Sequence, residues 1–380
     1  MISWIPASAG MTGGMKKIFL IALIIRLVFI YIFRNVTNYD LQSYLQVGEL
    51  TLKGINIYPE IANLHHPYLP FFLYVEAMAY WLGRSKIIII TIIKIINVIF
   101  DLGILNLVYR LSRKNLKTTF LYAINPVTIL ITTLHGQFDV IPVFFILLSI
   151  YLLNKKKELT AVLSFSFAIL TKTWPVLFLI PILRELHTCH SRGGGNSGTL
   201  DPLLQGDDKL KKRKLLLLIT LFPVLFTILY CIFFKTNPID IGKTLISYQG
   251  LWGIWGIWDL LGKQRILIQK LSTLIFLTSF FSYSWFNKNK NLLKNFLNLL
   301  LFFFIFTTNF SIQYFVWIIP FLILIKPKKY FQLIILITFY LLSFYCVWLF
   351  NLNLINIQNI LGLILWLSFI KIGYLSKKIA

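Results

Sequence analysis

The sequence predicts an all-α integral membrane protein of about twelve transmembrane helices, with a long first extracytoplasmic loop that contains in-plane helices. Three observations predict this class. The 380-residue chain is 58% hydrophobic and only 13% charged, whereas soluble domains are about 25% charged. Apolar runs long enough to cross a hydrocarbon layer of ~30 Å recur from end to end. Short clusters of Lys and Arg separate these runs, as in the cytoplasmic loops of membrane proteins.

The charge and the cysteines exclude several other classes. The formal net charge is +24, which in a soluble protein would suggest nucleic acid. Here the cations follow the topology of the apolar runs, so membrane lipid and not nucleic acid is the predicted partner. Cys189, Cys231 and Cys346 have neither a disulfide pattern nor metal-ligand spacing. No cofactor is therefore predicted from the composition.

Two stretches differ from the rest of the chain. Residues 1–14 precede Met15, which opens the first apolar run, and are interpreted as a non-native N-terminal extension. Residues 187–209 are rich in Gly and Asp and are interpreted as an inserted cytoplasmic loop. The sequence thus predicts one transmembrane domain over residues 15–380, interrupted by that loop.

The orientation depends on whether residues 67–82 cross the membrane. If they do, every later cluster of cations changes side. If they lie in the plane of the membrane or re-enter it, about 25 Lys and Arg fall inside and about nine outside, and cation placement is the main determinant of orientation. We adopt the second arrangement, which puts both termini in the cytoplasm. The predicted spans are 16–34, 87–109, 118–134, 139–153, 158–171, 174–186, 214–234, 264–286, 293–309, 312–326, 330–350 and 356–374.

Most of the acidic residues map to the outer loops, which suggests an outer site that uses carboxylates. Asp40 stands at the start of a predicted amphipathic helix that Gly54 ends. Asp139 closes the corner His135-Gly136-Gln137-Phe138-Asp139, whose polar residues are costly at a membrane boundary unless they are used or paired. The alternative for each aspartate is that it only caps a helix.

Two further outer corners carry candidate binding residues. Lys172 is a lone lysine between two apolar spans, where it suits a phosphate better than a topological role. The alternative is a lysine that extends its ammonium group to the interface. Gln313 and Tyr314 belong to a polar stretch at a span junction, and the alternative is ordinary interfacial chemistry.

The ordered motifs resemble a known family. They are Asp40, a Gly-x-Asn-x-Tyr stretch over residues 54–58, His66-Pro67-Tyr68-x-Pro70, Asn125-Pro126, Gly136-Gln137-Phe138-Asp139, Lys172-x-x-Pro175, and Gln313-Tyr314-Phe315-x-Trp317 with Pro320. In this order they resemble the GT-C superfamily of polytopic glycosyltransferases, especially bacterial polyprenyl-phosphate-sugar-dependent enzymes and the catalytic subunit of GPI mannosyltransferase I. Asn38 departs from the acidic pair of the eukaryotic relatives. No metal ligand is therefore predicted, and dependence on a divalent metal is left open.

The resemblance implies an inverting hexosyltransferase. It would move one sugar, such as mannose, from a polyprenyl-phosphate donor to a lipid or glycan acceptor on the outer face of the bacterial inner membrane. A carboxylate in hydrogen-bond reach can take the acceptor's proton, so Asp40 is the predicted base and Asp139 its assistant. The predicted ligands of the donor phosphate are Lys172, His65 and His66. The predicted substrate-binding residues are Tyr44, Tyr58, His135, Gln137, Gln313 and Tyr314.

The alternative function is a multi-span transporter or a flippase for lipid-linked sugars. Transporters of this size commonly show inverted repeats with interrupted helices at matching positions. We see no clear internal repeat, and the polar residues cluster at one side of the predicted membrane.

Overall fold

Helices form every regular element in the described part of the chain. The computed structural model describes residues 12–191, 202–247, 255–256 and 269–378. No strand occurs within these ranges. The all-α prediction is confirmed.

The first half of the chain builds the part of the fold that holds the candidate site. Its helices are α1 Gly13–Ile32, α2 Tyr39–Leu52, α3 Ala62–His65, α4 Phe72–Leu82, α5 Lys86–Leu111, α6 Leu116–Ala123, α7 Pro126–Ile129, a π-helix Leu130–His135, α8 Val140–Asn154, α9 Glu158–Thr171, a 3₁₀-helix Trp174–Phe178 and α10 Leu179–Ser191. The second half adds α11 Pro202–Phe233, α12 Pro238–Ser247, α13 Gln269–Phe286, α14 Leu292–Phe306, a 3₁₀-helix Ile312–Tyr314, α15 Phe315–Ile325, α16 Tyr330–Phe350 and α17 Ile355–Lys378.

Four of the described helices are long and apolar enough to cross a membrane. They are Lys86–Leu111, Lys214–Phe233, Tyr330–Phe350 and Ile355–Leu375. Other apolar helices are shorter, with 10–17 residues. Polar residues and proline interrupt some of the apolar runs. Asn125 and Pro126 separate α6 from α7, and Lys172 separates α9 from the following 3₁₀-helix. The chain is therefore a membrane protein with several apolar helices, and the predicted count of twelve spans is not confirmed.

The predicted helices of the first loop are present. α2 begins after Asn38, whose Oδ1 accepts a hydrogen bond of 2.8 Å from the backbone N–H of Leu41. Asn38 and not Asp40 is therefore the cap, which leaves the carboxylate of Asp40 available for other contacts. The helix ends before Gly54, which has a left-handed φ of +73°. α4 has 11 residues and is about 16 Å long, which is too short to cross ~30 Å of hydrocarbon.

The core around α5 contains an ion pair that was not predicted from the sequence. Arg26 on α1 donates from Nε to Asp101 Oδ2 on α5 at 2.5 Å, and both side chains are fully buried. The Tyr122 hydroxyl donates to Asp101 Oδ1 at 2.6 Å, and Arg26 Nη1 donates to the Ala123 carbonyl at 2.9 Å. This network fastens α1, α5 and α6 to one another.

The same face of α5 also contacts the end of α1 and the end of the π-helix. Lys94 donates from Nζ to the carbonyl of Phe33 at 3.0 Å, just beyond the end of α1. Asn97 donates to the carbonyl of Gly136 at 2.9 Å. Because residues three and four apart share a helix face, one stripe of α5 holds both the end of α1 and the corner before Asp139.

The two stretches predicted to lie outside the fold are described only in part. Residues 1–11 lie outside the described residues, whereas Gly13 and Gly14 already belong to α1. Residues 192–201 also lie outside them, and α10 and α11 extend into the predicted insertion 187–209 from either side. The extension and the insertion stay predictions.

We expect Arg26→Met to lower the free energy of unfolding by about 3–5 kcal/mol, because it leaves the Asp101 carboxylate buried without its cation. Unfolding in detergent micelles measures the change. The matched control is Lys53→Met, since Lys53 pairs with Glu49 at 2.6 Å on the exposed surface of α2. That exposed pair is expected to contribute at most about 0.5 kcal/mol. Equal losses in the two variants would contradict the role of the buried pair.

Candidate functional site

The candidate site forms where the start of α2 meets the corner between the π-helix and α8. Asp40 Oδ2 lies 3.4 Å from His135 Nε2. The Asp40 side chain is 35% exposed, whereas that of His135 is 9% exposed. Asn38 holds the corner from the other side, because its Nδ2 donates to the His135 carbonyl at 2.8 Å. The carboxylate of Asp40 thus lies at the mouth of a largely buried polar cluster.

Gln137 extends the cluster towards the interior. Its Oε1 accepts a hydrogen bond of 2.8 Å from the hydroxyl of Tyr44, one turn along α2 from Asp40. Gln137 also lies near enough to Asp40 to lower the pKa of its carboxyl group. The neighbouring Gly136 has a φ of +77°, and a Cβ there would lie 2.7 Å from Leu41 Cδ2. Only glycine allows this close approach between the corner and α2.

Neighbouring charges keep Asp40 ionised. Burial, the largest effect, favours the neutral acid, but the polar contacts with His135 and Gln137 and the attraction of the Lys172 ammonium group oppose it. The result is a pKa for Asp40 below its ordinary value of 3.8. Asp40 therefore stays a carboxylate at neutral pH, suited to bind a cation or to accept hydrogen bonds.

Asp139 has a different environment, because both of its oxygens are already bound. Lys172 Nζ donates to Oδ2 at 2.6 Å, and the indole Nε1 of Trp317 donates to Oδ1 at 2.7 Å. All three residues are buried, with exposures of 0% for Asp139, 4% for Lys172 and 2% for Trp317. The contacts join the start of α8, the end of α9 and α15. Helix capping by Asp139 is not seen, since its side chain makes no cap hydrogen bond.

Aromatic rings surround this ion pair. The ammonium group of Lys172 lies 4.7 Å from the ring centroid of Phe138 and 5.1 Å from that of Tyr68. Trp317 stacks on Trp174, with centroids 4.0 Å apart. These neighbouring rings lower the local polarity around the pair and strengthen its electrostatic attraction.

The structure thus brings together six of the predicted site residues. These are Asp40, Tyr44, His135, Gln137, Asp139 and Lys172. Tyr314 lies beside them, with its ring stacked on Trp317 at 4.2 Å. Gln313 is buried, and its side-chain oxygen accepts from the hydroxyl of Ser311.

The remaining predicted residues make their contacts elsewhere in the first loop. His65 Nδ1 lies 2.7 Å from the Ser43 hydroxyl, and its ring stacks on Tyr39. The Tyr58 hydroxyl donates to the Tyr68 carbonyl at 2.7 Å. His66 is fully buried beside Glu76, with 3.5 Å between Nδ1 and Oε2. The roles of these residues as ligands stay predictions.

Glu76 was not predicted as part of any site. It is fully buried on α4, and both its oxygens lack a hydrogen-bond partner, as does His66 Nδ1. Burial raises the pKa of Glu76 above its ordinary value of 4.5, and His66 offsets only part of that shift. The available signal was an acidic residue inside the otherwise apolar stretch 71–82, which is costly without a partner.

The described residues contain no group of three or more His, Cys, Asp and Glu side chains placed to hold a metal ion.

The sequence profile of the family described as GPI transamidase subunit PIG-U matches residues 20–248, which is more than half of the chain. The chain belongs to this family. No curated protein sequence matches it. The matched region includes every residue of the Asp40 cluster and also Lys172, but not Trp317.

Membership of the PIG-U family corrects the predicted function. Members of this family are described as a subunit of the transamidase that attaches proteins to a lipid anchor. The prediction of a GT-C hexosyltransferase was wrong, and so was the alternative of a transporter or flippase. The motifs misled because a carboxylate, a His corner and a lone Lys at helix breaks are what any polar site at a membrane boundary requires. They carry no information about the reaction.

The predicted partners and location change with the function. A polyprenyl-phosphate sugar donor and its lipid or glycan acceptor are not partners of the family, which acts with protein subunits and anchored protein substrates. The assignment to a bacterial inner membrane is not supported either. The broader prediction of a membrane protein holds, because the described residues include four helices able to cross a bilayer.

We expect Glu76→Gln to stabilise the protein relative to the wild type as pH rises. Since the pKa of Glu76 is raised in the folded state, its contribution to stability is complete below the ordinary value and is lost as pH rises through the folded value. The gain from the neutral amide should reach about 1–3 kcal/mol at mildly alkaline pH, measured by unfolding across a pH series. Glu60→Gln, on an exposed side chain of the same loop, is the control. Parallel pH profiles for the wild type and Glu76→Gln would contradict this prediction.

Proposed function

We propose that this chain is a membrane subunit of a complex that attaches proteins to a glycolipid anchor, and that it binds the polar head group of that anchor at Asp40. Its family is described as a GPI transamidase subunit, which supports a role in such a complex. The observation that carries the proposal is the contrast between the two aspartates of the cluster. Asp40 is part-exposed and ionised, whereas Asp139 is buried with both oxygens bound.

Transamidation specifies the chemistry of the ligand. The reaction replaces the amine of an amide by a second amine, so the lipid anchor must carry a primary amine. At neutral pH that amine is an ammonium ion before it reacts. The Asp40 carboxylate is ionised and lies at the edge of a partly buried polar cluster. It is therefore suited to bind this ammonium group through a charge-assisted hydrogen bond.

The other residues of the cluster take positioning roles in this proposal. His135 and Gln137 hold the carboxylate of Asp40 ionised and oriented, and Tyr44 fixes Gln137 from α2. Lys172 serves Asp139 and not a ligand phosphate, because its ammonium group is buried against that carboxylate. We assign no phosphate to His65 or His66.

We further propose a topology of twelve spans with both termini in the cytoplasm. It rests on the distribution of cations between the apolar helices and on the interrupted helices around the site, which are tolerated where they line a cavity within the protein. In this arrangement residues 35–86, His135 and Lys172 face the opposite side from Lys155, Lys156 and Lys157.

Asp40→Asn should weaken binding of an amine-bearing glycolipid by roughly 10- to 150-fold, because the variant loses a charge-assisted hydrogen bond of about 1.5–3 kcal/mol. The measurement is the Kd of the full chain in nanodiscs for a glycolipid with a primary amine on its head group. The same lipid with its amine acetylated is the second probe. The acetylated lipid should bind the wild type weakly, and its Kd should be the same for the wild type and for Asp40→Asn.

Asp240→Asn is the matched control. Asp240 also lies in the first turn of a helix, and its side chain is 32% exposed beside Lys243. Its replacement should leave the Kd unchanged. Binding to Asp40→Asn at wild-type affinity, or equal losses in both variants, would reject Asp40 as the head-group ligand.

The topology is tested by single cysteines in a background without Cys189, Cys231 and Cys346. We expect Glu60→Cys and Lys156→Cys, both at exposed positions, to react with a membrane-impermeant maleimide from opposite sides of sealed vesicles. Labelling of both from one side would reject the proposed arrangement.

A further inference from the structure

A second feature of the fold lies away from the Asp40 cluster. A cavity of about 340 Å³ opens between α6–α7 on one side and α15–α16 on the other. Its walls are mostly apolar and include Leu121, Ile323, Phe331, Ile335 and Phe339. The volume is in the range of pockets that hold small organic molecules, about 300–1,000 Å³. We call this cavity the α16 groove.

The length of the α16 groove fits one leaflet of a bilayer. Phe331 and Phe339 mark its extent along α16, and eight residues of helix rise about 12 Å. That is less than half of the ~30 Å hydrocarbon thickness. The groove therefore suits part of one lipid chain and not a ligand that crosses the membrane.

A lysine stands at one end of the groove. Lys326 follows Ile323 by one turn, at the C-cap of α15, and its Nζ donates to the Thr118 hydroxyl at 2.7 Å. Thr118 lies one turn before Leu121 on α6. The ammonium group thus bridges the two walls at the end where α6 begins and α15 ends. An ammonium group has three donors, of which Thr118 takes one.

The backbone at Lys326 is left-handed, as it is at five other Lys and Arg residues of the described chain. Lys326 has a φ of +52°, in the left-handed region where a helix C-terminus favours glycine. A lysine here carries conformational strain that glycine would avoid. Lys117, the exposed neighbour of Thr118 in the chain, carries a second positive charge. An apolar groove with a cationic mouth is complementary to an anionic amphiphile.

We propose that the α16 groove binds one anionic phospholipid of the surrounding leaflet. The lipid phosphate accepts hydrogen bonds from Lys326, with Lys117 nearby, and one acyl chain fills the groove between Leu121 and Ile335. Basic pockets between membrane helices recognise anionic head groups in this way. The inference is independent of the proposed function, because it uses neither Asp40 nor the family.

Native mass spectrometry of the full chain, titrated with phosphatidylglycerol or with phosphatidylcholine, tests the site. We expect one tightly retained phosphatidylglycerol and no comparable retention of phosphatidylcholine. Lys326→Gln should weaken retention roughly fivefold, the usual effect of one lysine near an anionic lipid. Ile335→Trp, which fills the groove, should abolish it. Glycerol phosphate, which has the head group without acyl chains, should not compete.

Two controls separate the site from general attraction. Lys290→Gln removes an exposed lysine from the loop between α13 and α14, and Ile360→Trp enlarges an exposed side chain of α17 away from the groove. Both should retain phosphatidylglycerol like the wild type, with unchanged thermal unfolding. Equal retention of the two lipids, an equal loss in Lys290→Gln, or competition by glycerol phosphate would overturn the proposal.

Discussion

The contact of Asp139 with Lys172 and Trp317 is the interaction on which the rest of this structure depends. Three buried side chains from α8, the end of α9 and α15 meet at distances of 2.6 and 2.7 Å. A carboxylate and an ammonium group that leave water lose several kcal/mol each, and only close geometry with further hydrogen bonds restores that loss. The indole N–H and the rings of Phe138, Tyr68 and Trp174 supply those contacts. The helix breaks at residues 135–139 and 172–173 are therefore fixed relative to one another.

This fixed pair decides which polar side chains of the cluster stay accessible. It anchors Phe138 and so places His135 and Gln137 against α2, where they hold Asp40 at the mouth of the cluster. Contacts with His135 and Gln137 and the nearby Lys172 hold the pKa of Asp40 below its ordinary value, and Asn38, not Asp40, caps the helix. Other charges of the chain divide in the same way. Arg26 and Asp101 form a buried structural pair, whereas Lys326 is exposed.

Much of this arrangement follows from the sequence. Apolar runs and cation clusters predict a helical membrane protein, and polar residues at helix breaks identify Asp40, His135, Gln137, Asp139 and Lys172 as one group. The partners of each side chain do not follow. Asp139 and Trp317 are 178 residues apart, and no local pattern distinguishes a carboxylate bound on both oxygens from one that stays partly exposed. Glu76 was missed for the related reason that burial without a partner cannot be read from residue order.

The motifs could not specify the class of reaction, for a physical reason. Residues that suit a polar site at a membrane surface are few, and the same ones serve sugar transfer, ion transport and the binding of a head group. The family match was needed to choose among these activities, and the geometry then distinguished Asp40 from Asp139.

A double-mutant cycle on Asp139 and Lys172 tests the central claim most directly. The free energy of unfolding in detergent is measured for the wild type, Asp139→Asn, Lys172→Met and the double variant. Each single change should cost about 3–5 kcal/mol, because it leaves one buried charge without its partner. The double variant should lose less unfolding free energy than the two single variants together, by about 2 kcal/mol or more. Additive losses would contradict the account, since they would mean that the two side chains do not stabilise each other in the folded protein.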